Sequence, residues 1–304
     1  MNAVTKKIVF AFVAVTVATL AAQDATRFVV PRTPWGDPDL QGRWPGTAMM
    51  GVPMERPLAG GARGGRGPGP GIGIGPPGHW GERGTPQQQA SLVVDPPDGR
   101  IPPMSDEGTR RTASLPKTWY YDNDGGGPFA APTDLSAYDR CITRGVVGSM
   151  LPVGYNAGNE IVQGPGVVAL RNEMIHETRV VPLDGRPHLS PVFRSYMGDT
   201  RGRWDGDTLV IDTINLTDKT GVGANGRALF HSSALHLTER LTRTAADRLL
   251  YAVTIDDPRT WTRPWTMSFP LTRDESYGMF EYACHEGNYG LRNILSASRA
   301  GERP

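Results

Sequence analysis

RGRWDGDTLVIDTINL, residues 201–216, reads as two extended segments with Asp205-Gly206 between them. Asp-Gly flanked by Leu, Val, Ile and Thr is a hairpin signal: glycine accepts the backbone of a tight turn, and β-branched side chains fit a pleated surface. The pattern continues on both sides. Upstream, EIVQGPGVVALRNEMIHETRVVPLDG (160–185) holds β-branched runs separated by Gly-Pro and ending in Asp-Gly. Downstream come ALHLTERLTR and RLLYAVTIDD, joined by TAAD, then WTMSFPLTR and MFEYACHEGNYG. Six or more strands joined by short turns predict an all-β antiparallel meander. A meander of this length must hide its edges, and closure as an up-and-down barrel around a small ligand is one solution. A two-sheet β-sandwich is the competing architecture. Helical periodicity is nearly absent, apart from a helical turn at DLSAYDR (134–140) opened by Asp134 or Ser136.

The chain has 304 residues, of which the first 22 read as a signal peptide. Lys6 and Lys7 precede the apolar run IVFAFVAVTVATLAA, which is too short and too abruptly ended for a membrane span, the alternative being an uncleaved anchor. Thr19 and Ala21, or Ala22 and Ala25, offer cleavage positions. The expectation is a periplasmic or secreted protein with no stable membrane span after cleavage. Residues 23–44 form an N-terminal segment and first strand, 45–116 a flexible Gly/Pro-rich insertion, and 117–304 the barrel domain. The insertion peaks in GGARGGRGPGPGIGIGPPG (60–78), with too few apolar side chains to offset the entropy of ordering it. No strand leads into those glycines and no helix follows, so a phosphate loop is not indicated. A net charge of +1 lacks the basic excess of a nucleic-acid binder.

PWGDPDLQGRW (34–44) ends in Gly42-x-Trp44, which resembles the first-strand signature of lipocalin-like (calycin) proteins and tilts the expectation toward the barrel. YDRCITRGVVGSMLP, NEMIHETRVVPLDGRPH, MGDTRGRWDGDTLVIDT, LTERLTR, TIDDPRTWTRPW and EYACHEGNYG together resemble a large, poorly characterised family of exported β-rich bacterial proteins. That resemblance spans about residues 34–298. It implies export and a β-rich fold, and it carries no reaction.

Polar groups gather at NEMIHE (172–177), RPHLS (186–190) and CHEGN (284–288). If the first is a strand, Asn172 and His176 share one face, and Glu173, Ile175 and Glu177 the other. If the last is a strand, Tyr282, Cys284 and Glu286 lie together opposite His285, unless a bulge near Gly287 reverses this. His176 with Glu173 or Glu286 suits acid/base work, since histidine titrates near pH ~6.5 and a carboxylate can orient it. His176, His285, Glu286 and Glu173 are therefore the candidate catalytic groups. Asn172, Asn288, Tyr289, Arg144, Trp204 and Arg263 are candidates for substrate binding, the last two because Trp and Arg near a cavity mouth stack on rings and bind oxygens. The bland readings are buried histidines satisfied between strands and arginines snorkelling at the surface.

Cys141 and Cys284 have only each other in an oxidising compartment, and a disulfide is expected. His176, His188, His285 and Glu286 can be nominated for zinc, but no His-Glu-x-x-His pair enforces it. DNDGGG (122–127) opens like a calcium loop, yet Thr133 stands where the bidentate glutamate belongs. No metal or other cofactor is expected. Ser149 lacks a Gly-x-Ser-x-Gly elbow and Ser296 has no partner. The functional expectation is an exported enzyme doing acid/base chemistry of lyase, isomerase or hydrolase type on a small oxygenated molecule such as a sugar derivative or plant phenolic. The alternative is a non-catalytic small-molecule-binding protein of the periplasm.

Overall fold

The computed structural model describes residues 28–49, 52–57, 89–116, 129–226 and 228–301. The expected signal peptide, the glycine-rich run at 60–78 and the DNDGGG segment lie outside the described residues. The rest folds as two antiparallel sheets. One contains β1 (Gly42–Arg43), β3 (Asn159–Gly164), β4 (Val167–Asn172) and β5 (Thr178–Pro182), in the order β1-β3-β4-β5. The other contains β2 (Val93–Asp95), β6 (Asp199–Asp205), β7 (Thr208–Ile214), β8 (His236–Ala245), β9 (Arg248–Asp256) and β10 (Trp265–Thr272), in the order β2-β10-β9-β8-β7-β6.

The hairpin signal at Asp205-Gly206 becomes the β6–β7 turn: Asp205 pairs with Thr208, and Gly206 takes a left-handed φ of 60°. Alternation sets the faces of the large sheet. Along β9 and β10, Leu249, Tyr251, Val253, Met267, Phe269 and Leu271 are buried, while the residues between them are more exposed. Tyr251 and Phe269 pack as tilted rings 5.3 Å apart. An aromatic pair of this kind adds about 1 kcal/mol beyond its area term.

The two sheets follow one up-and-down circuit, with β5 lying beside β6. The all-β antiparallel expectation holds, and among the described residues no β-ladder joins the two sheets. Glycines stand at both seams. A Cβ on Gly202 of β6 would lie 2.5 Å from Leu183 Cδ2 and 2.6 Å from Val181 Cγ1, so only glycine lets β5 approach there. Gly42 of β1 (φ 131°) lies under Arg273 and Glu275, just beyond β10, where the Asp274 N–H donates to the Arg43 carbonyl (3.0 Å). Trp44 is fully buried at this second seam, donates from Nε1 to the Leu40 carbonyl (2.9 Å), and meets the guanidiniums of Arg243 and Arg273 at 5.7 and 5.8 Å from its ring.

Three expectations need correction. MFEYACHEGNYG is not a strand: residues 281–289 form turns, with Cys284 N bonded to the Tyr282 carbonyl (2.9 Å) and Glu286 N to the Ala283 carbonyl (3.1 Å). Its polar run has no apolar alternation to bury, so the backbone satisfies itself locally, and α3 (Gly290–Gly301) follows. NEMIHE does not continue β4 either. The strand ends at Asn172, and Met174–His176 form a single 3₁₀ turn that buries Met174 and Ile175. The shared-face argument for Asn172 and His176 therefore lapses. Finally, the described part of 45–116 is built into the fold. Leu92 and Val93 are buried in the core, and α1 (Asp106–Ser114) starts at Ser105, whose hydroxyl accepts from Gly108 N (2.9 Å). A short α2 (Val146–Met150) is wholly buried.

Candidate functional site

Glu173, His176 and Arg144, nominated from the sequence, meet at one end of the four-stranded sheet, where the turns at 137–145, 153–158 and 173–177 contact the C-terminal segment. The Cys141–Cys284 disulfide ties that segment down, with Cα atoms 5.7 Å apart. Four of the seven non-glycine residues with positive φ among the described residues, Cys141, Asn156, Ile175 and His176, lie in these turns. Left-handed backbone costs an L-residue about 1–2 kcal/mol, so the surrounding contacts must over-determine it.

Those contacts are visible. Glu173 is buried and accepts from Asn156 Nδ2 (2.6 Å), the Tyr277 hydroxyl (2.8 Å) and Phe280 N (3.2 Å). His176 is exposed, and its Nδ1 contacts the Tyr282 carbonyl at 2.8 Å. A carbonyl only accepts, so Nδ1 carries the proton and Nε2 is the basic nitrogen. Gly158 lies beneath this segment, since a Cβ there would be 2.4 Å from Met279 Sδ. Glu173 and His176 thus both hold the C-terminal segment, through different atoms of it.

Beside them stand three phenols. The hydroxyls of Tyr138 and Tyr155 are 3.2 Å apart, and Tyr282 joins them. Burial pushes the Tyr138 phenol well above its usual range, and the hydrogen bond to Tyr155 adds to this. Tyr282 is also raised, first by burial and then by Tyr155, while the guanidinium of Arg144 pulls the other way. Arg144 is almost wholly buried and reaches the carbonyls of Ser149 and Leu151 at the C-terminal end of α2 (both 3.5 Å), where a cation is favoured by the helix dipole. Glu177 faces inward at the start of β5. Burial raises its pKa against the opposing pulls of Thr143, Arg179 and His176, and its Oε2 is buried without a hydrogen-bond partner.

The other nominated residues fall elsewhere or do other things. Asn172 is buried and donates to Asn159 Oδ1 (2.7 Å), its cross-strand partner. His285, Glu286, Asn288 and Tyr289 are exposed; Asn288 Nδ2 donates to the Cys284 carbonyl (3.2 Å). Trp204 is on the inner face of β6, opposite Leu209. Arg263 forks onto Asp95 of β2 (2.9 and 3.0 Å), far from the phenols along the chain and in the other sheet. His188, weighed for zinc, lies on the outer face of the large sheet between Asp199 and Asp212. No group of three or more metal-ligating side chains is placed to hold an ion among the described residues. A shallow depression beside β2, β9 and β10, lined by Arg56, Gln89, Ser91, Val94, Leu250 and Ser268, shares no residue with the tyrosine cluster.

Tyr138, Tyr155, Tyr282 and Glu177 were not singled out as site residues from the sequence. One signal was available: a 141–284 disulfide brings together Tyr138, three residues before one cysteine, and Tyr282, two before the other. Comparison of the chain with family models, with curated proteins and with solved structures finds no match.

Proposed function

We propose that this chain is an exported, calycin-like β protein that binds a small oxygenated molecule, such as a sugar derivative or plant phenolic, at the Tyr138–Tyr155–Tyr282 cluster. The observation that carries the reading is the meeting of these phenols beside Arg144. Neutral phenols offer hydroxyls that both donate and accept, together with ring faces on which a sugar or aromatic ring can stack. Export draws support from the apolar N-terminal run and from a disulfide of the kind that persists in oxidising compartments. The calycin likeness draws support from the up-and-down strand circuit and from the buried Trp44 of Gly42-x-Trp44. The resemblance to exported β-rich bacterial proteins points the same way. No helix among the described residues is long and apolar enough to cross a membrane.

The test is a ligand screen by protein-observed NMR with sugar lactones, uronic acids and hydroxycinnamates, repeated on the Tyr138→Phe/Tyr155→Phe/Tyr282→Phe variant. Loss of the three hydroxyls should weaken the best ligand at least tenfold with little change in Tm. Equal affinity would place binding elsewhere.

Acid/base turnover is the second reading, favoured by Glu177, because a buried carboxyl with a raised pKa can hold a proton for delivery. In that case Glu177→Gln abolishes turnover of the bound ligand while its affinity survives. Retained turnover would leave binding as the whole activity.

A further inference from the structure

The connection between β5 and β6 spans the seam at which no ladder joins the two sheets among the described residues, and a histidine on it bridges two carboxylates. His188 Nδ1 lies 2.9 Å from Asp199 Oδ2, and its Nε2 lies 2.7 Å from Asp212 Oδ1. Ionised carboxylates only accept, so both contacts are hydrogen bonds only when the ring carries two protons. The network continues on both sides. Arg201 donates to Asp199 Oδ1 (2.6 Å), Leu189 N donates to Asp199 Oδ2 (2.7 Å), and Asp212 Oδ2 receives His236 Nε2 at 2.5 Å. Its members come from the loop, β6, β7 and β8, and Asp256 of β9 adds its field at His236.

The rest of the loop is fixed by neutral or permanently charged groups. Arg201 Nε donates to the Pro187 carbonyl (3.2 Å), Asn215 Nδ2 to the Leu189 carbonyl (3.0 Å), and Arg194 Nη1 to the Ser233 carbonyl (2.7 Å). Asp184 and Arg186 pair with each other at the start of the loop. Arg240 is occupied by Asp205, beside which Arg203 stands. His188 and His236 are therefore the two imidazoles of this network, each held against an acceptor-only carboxylate. Beneath the loop, Leu183 and Val181 rest on Gly202, and Met197 receives the Thr143 hydroxyl (3.2 Å) next to Glu177.

We propose that residues 183–198 form a pH-governed latch over the β5–β6 seam, closed while His188 is clamped between Asp199 and Asp212 and released when the imidazoles lose their protons. A neutral His188 can donate to only one carboxylate, and its other nitrogen then turns a lone pair toward the second. The hydrogen bond to Asp212 raises the pKa of His236, with burial opposing it. The contribution of His236 is thus complete below the unfolded value of about 6.5 and is lost as pH rises through the higher folded value. The Asp212 carboxylate is lowered chiefly by its bond to His236; in Asp199, bonds from Leu189 N and His188 overcome burial. Their contributions are present above the unfolded value of about 3.9 and vanish as pH falls through the lower folded values. The latch is tightest in mildly acidic solution. Its release loosens the seam above Arg179 and Glu177, and so the inner face of the sheets.

Amide hydrogen exchange on the full chain, read by mass spectrometry at pH 5.5 and 8.5 and corrected for intrinsic rates, tests this. Peptides covering 186–198 should lose at least tenfold protection at the higher pH, while those in β9 keep theirs. His188→Gln, which has no ionisable ring, should exchange quickly in this loop at both pH values. Equal wild-type protection at both pH values overturns the latch. So does a His188→Gln protein that retains the full pH response. If that variant fails to fold, the wild-type series with His236→Gln decides: the response must persist, shifted in midpoint, and its disappearance would assign it to His236 alone.

Discussion

Arg179 of β5 and Glu239 of β8 join the two sheets by a two-pronged ion pair across the seam that lacks a ladder. Arg179 Nη2 donates to Glu239 Oε1 at 2.8 Å and Nη1 donates to Oε2, with both side chains buried. The Tyr251 hydroxyl donates to the same Oε1 (3.0 Å). Burial alone would disfavour the guanidinium charge, yet Glu239 outweighs it and holds Arg179 above its usual range. The pair does in the interior what hydrogen-bonded strands would do in a closed barrel.

Breaking this pair from one side leaves an uncompensated buried charge. Arg179→Ala should destabilise the protein by about 3–5 kcal/mol. The Arg179→Met/Glu239→Leu double variant should recover most of that loss, short by about 1–3 kcal/mol for the Tyr251 hydroxyl left unpaired. Urea denaturation of the three proteins checks this. Similar losses in single and double variants would show that packing, not charge, holds the seam.

Gly202 makes the seam narrow. Gly202→Val places a branched side chain against Val181 and Leu183 and should cost about 1–3 kcal/mol by overpacking. The same change at Gly166, which has open space around it but a left-handed φ (74°), tests backbone strain without crowding. Chemical denaturation compares the two sites. A neutral Gly202→Val would mean that β5 moves away without loss.

The disulfide closes a loop between positions 143 residues apart. Cys141→Ser/Cys284→Ser should lower stability by about 2–5 kcal/mol. It should also raise exchange at Tyr277–Asn288 before the sheets are affected, because His176, Glu173, Arg43 and the phenols then hold that segment without the covalent tie. Peptide mapping without reductant should recover the two cysteine peptides linked in the parent protein.

The phenols give a spectroscopic signature. Tyr138 and Tyr282 should ionise above the ordinary tyrosine value of about 10. A group with a raised folded pKa contributes stability below its unfolded value and loses it as pH rises through the folded one. Alkaline absorbance titration should therefore show late phenolate steps that disappear in Tyr138→Phe and Tyr282→Phe. Ionisation near pH ~10 would mean the cluster is open to water.

Much of the large sheet was legible because its signals are local. In RLLYAVTID and WTMSFPLT every second side chain is buried, and Asp205-Gly206 marks its own turn. Asp256-Asp257-Pro258 ends a strand where its composition places a turn. MFEYACHEGNYG misled because phenylalanine, tyrosine and cysteine resemble strand composition, while the backbone conformation was decided by Gly287, the disulfide and contacts with Glu173 and His176. Apart from Gly287, that information lies in residues distant along the chain.

By itself the sequence determined a β-rich chain of antiparallel hairpins, the cysteine pair, and the N-terminal run that motivates export, because each follows from short-range pattern or from composition. Tertiary structure alone decided that no ladder joins the two sheets among the described residues and that His176 and Glu173 hold a strap instead of each other. It also brought Tyr138, Tyr155 and Tyr282 together, and set His188 between two carboxylates. These are relationships between residues distant along the chain, fixed by packing at Gly42, Gly158 and Gly202, where the absence of a side chain lets distant segments touch.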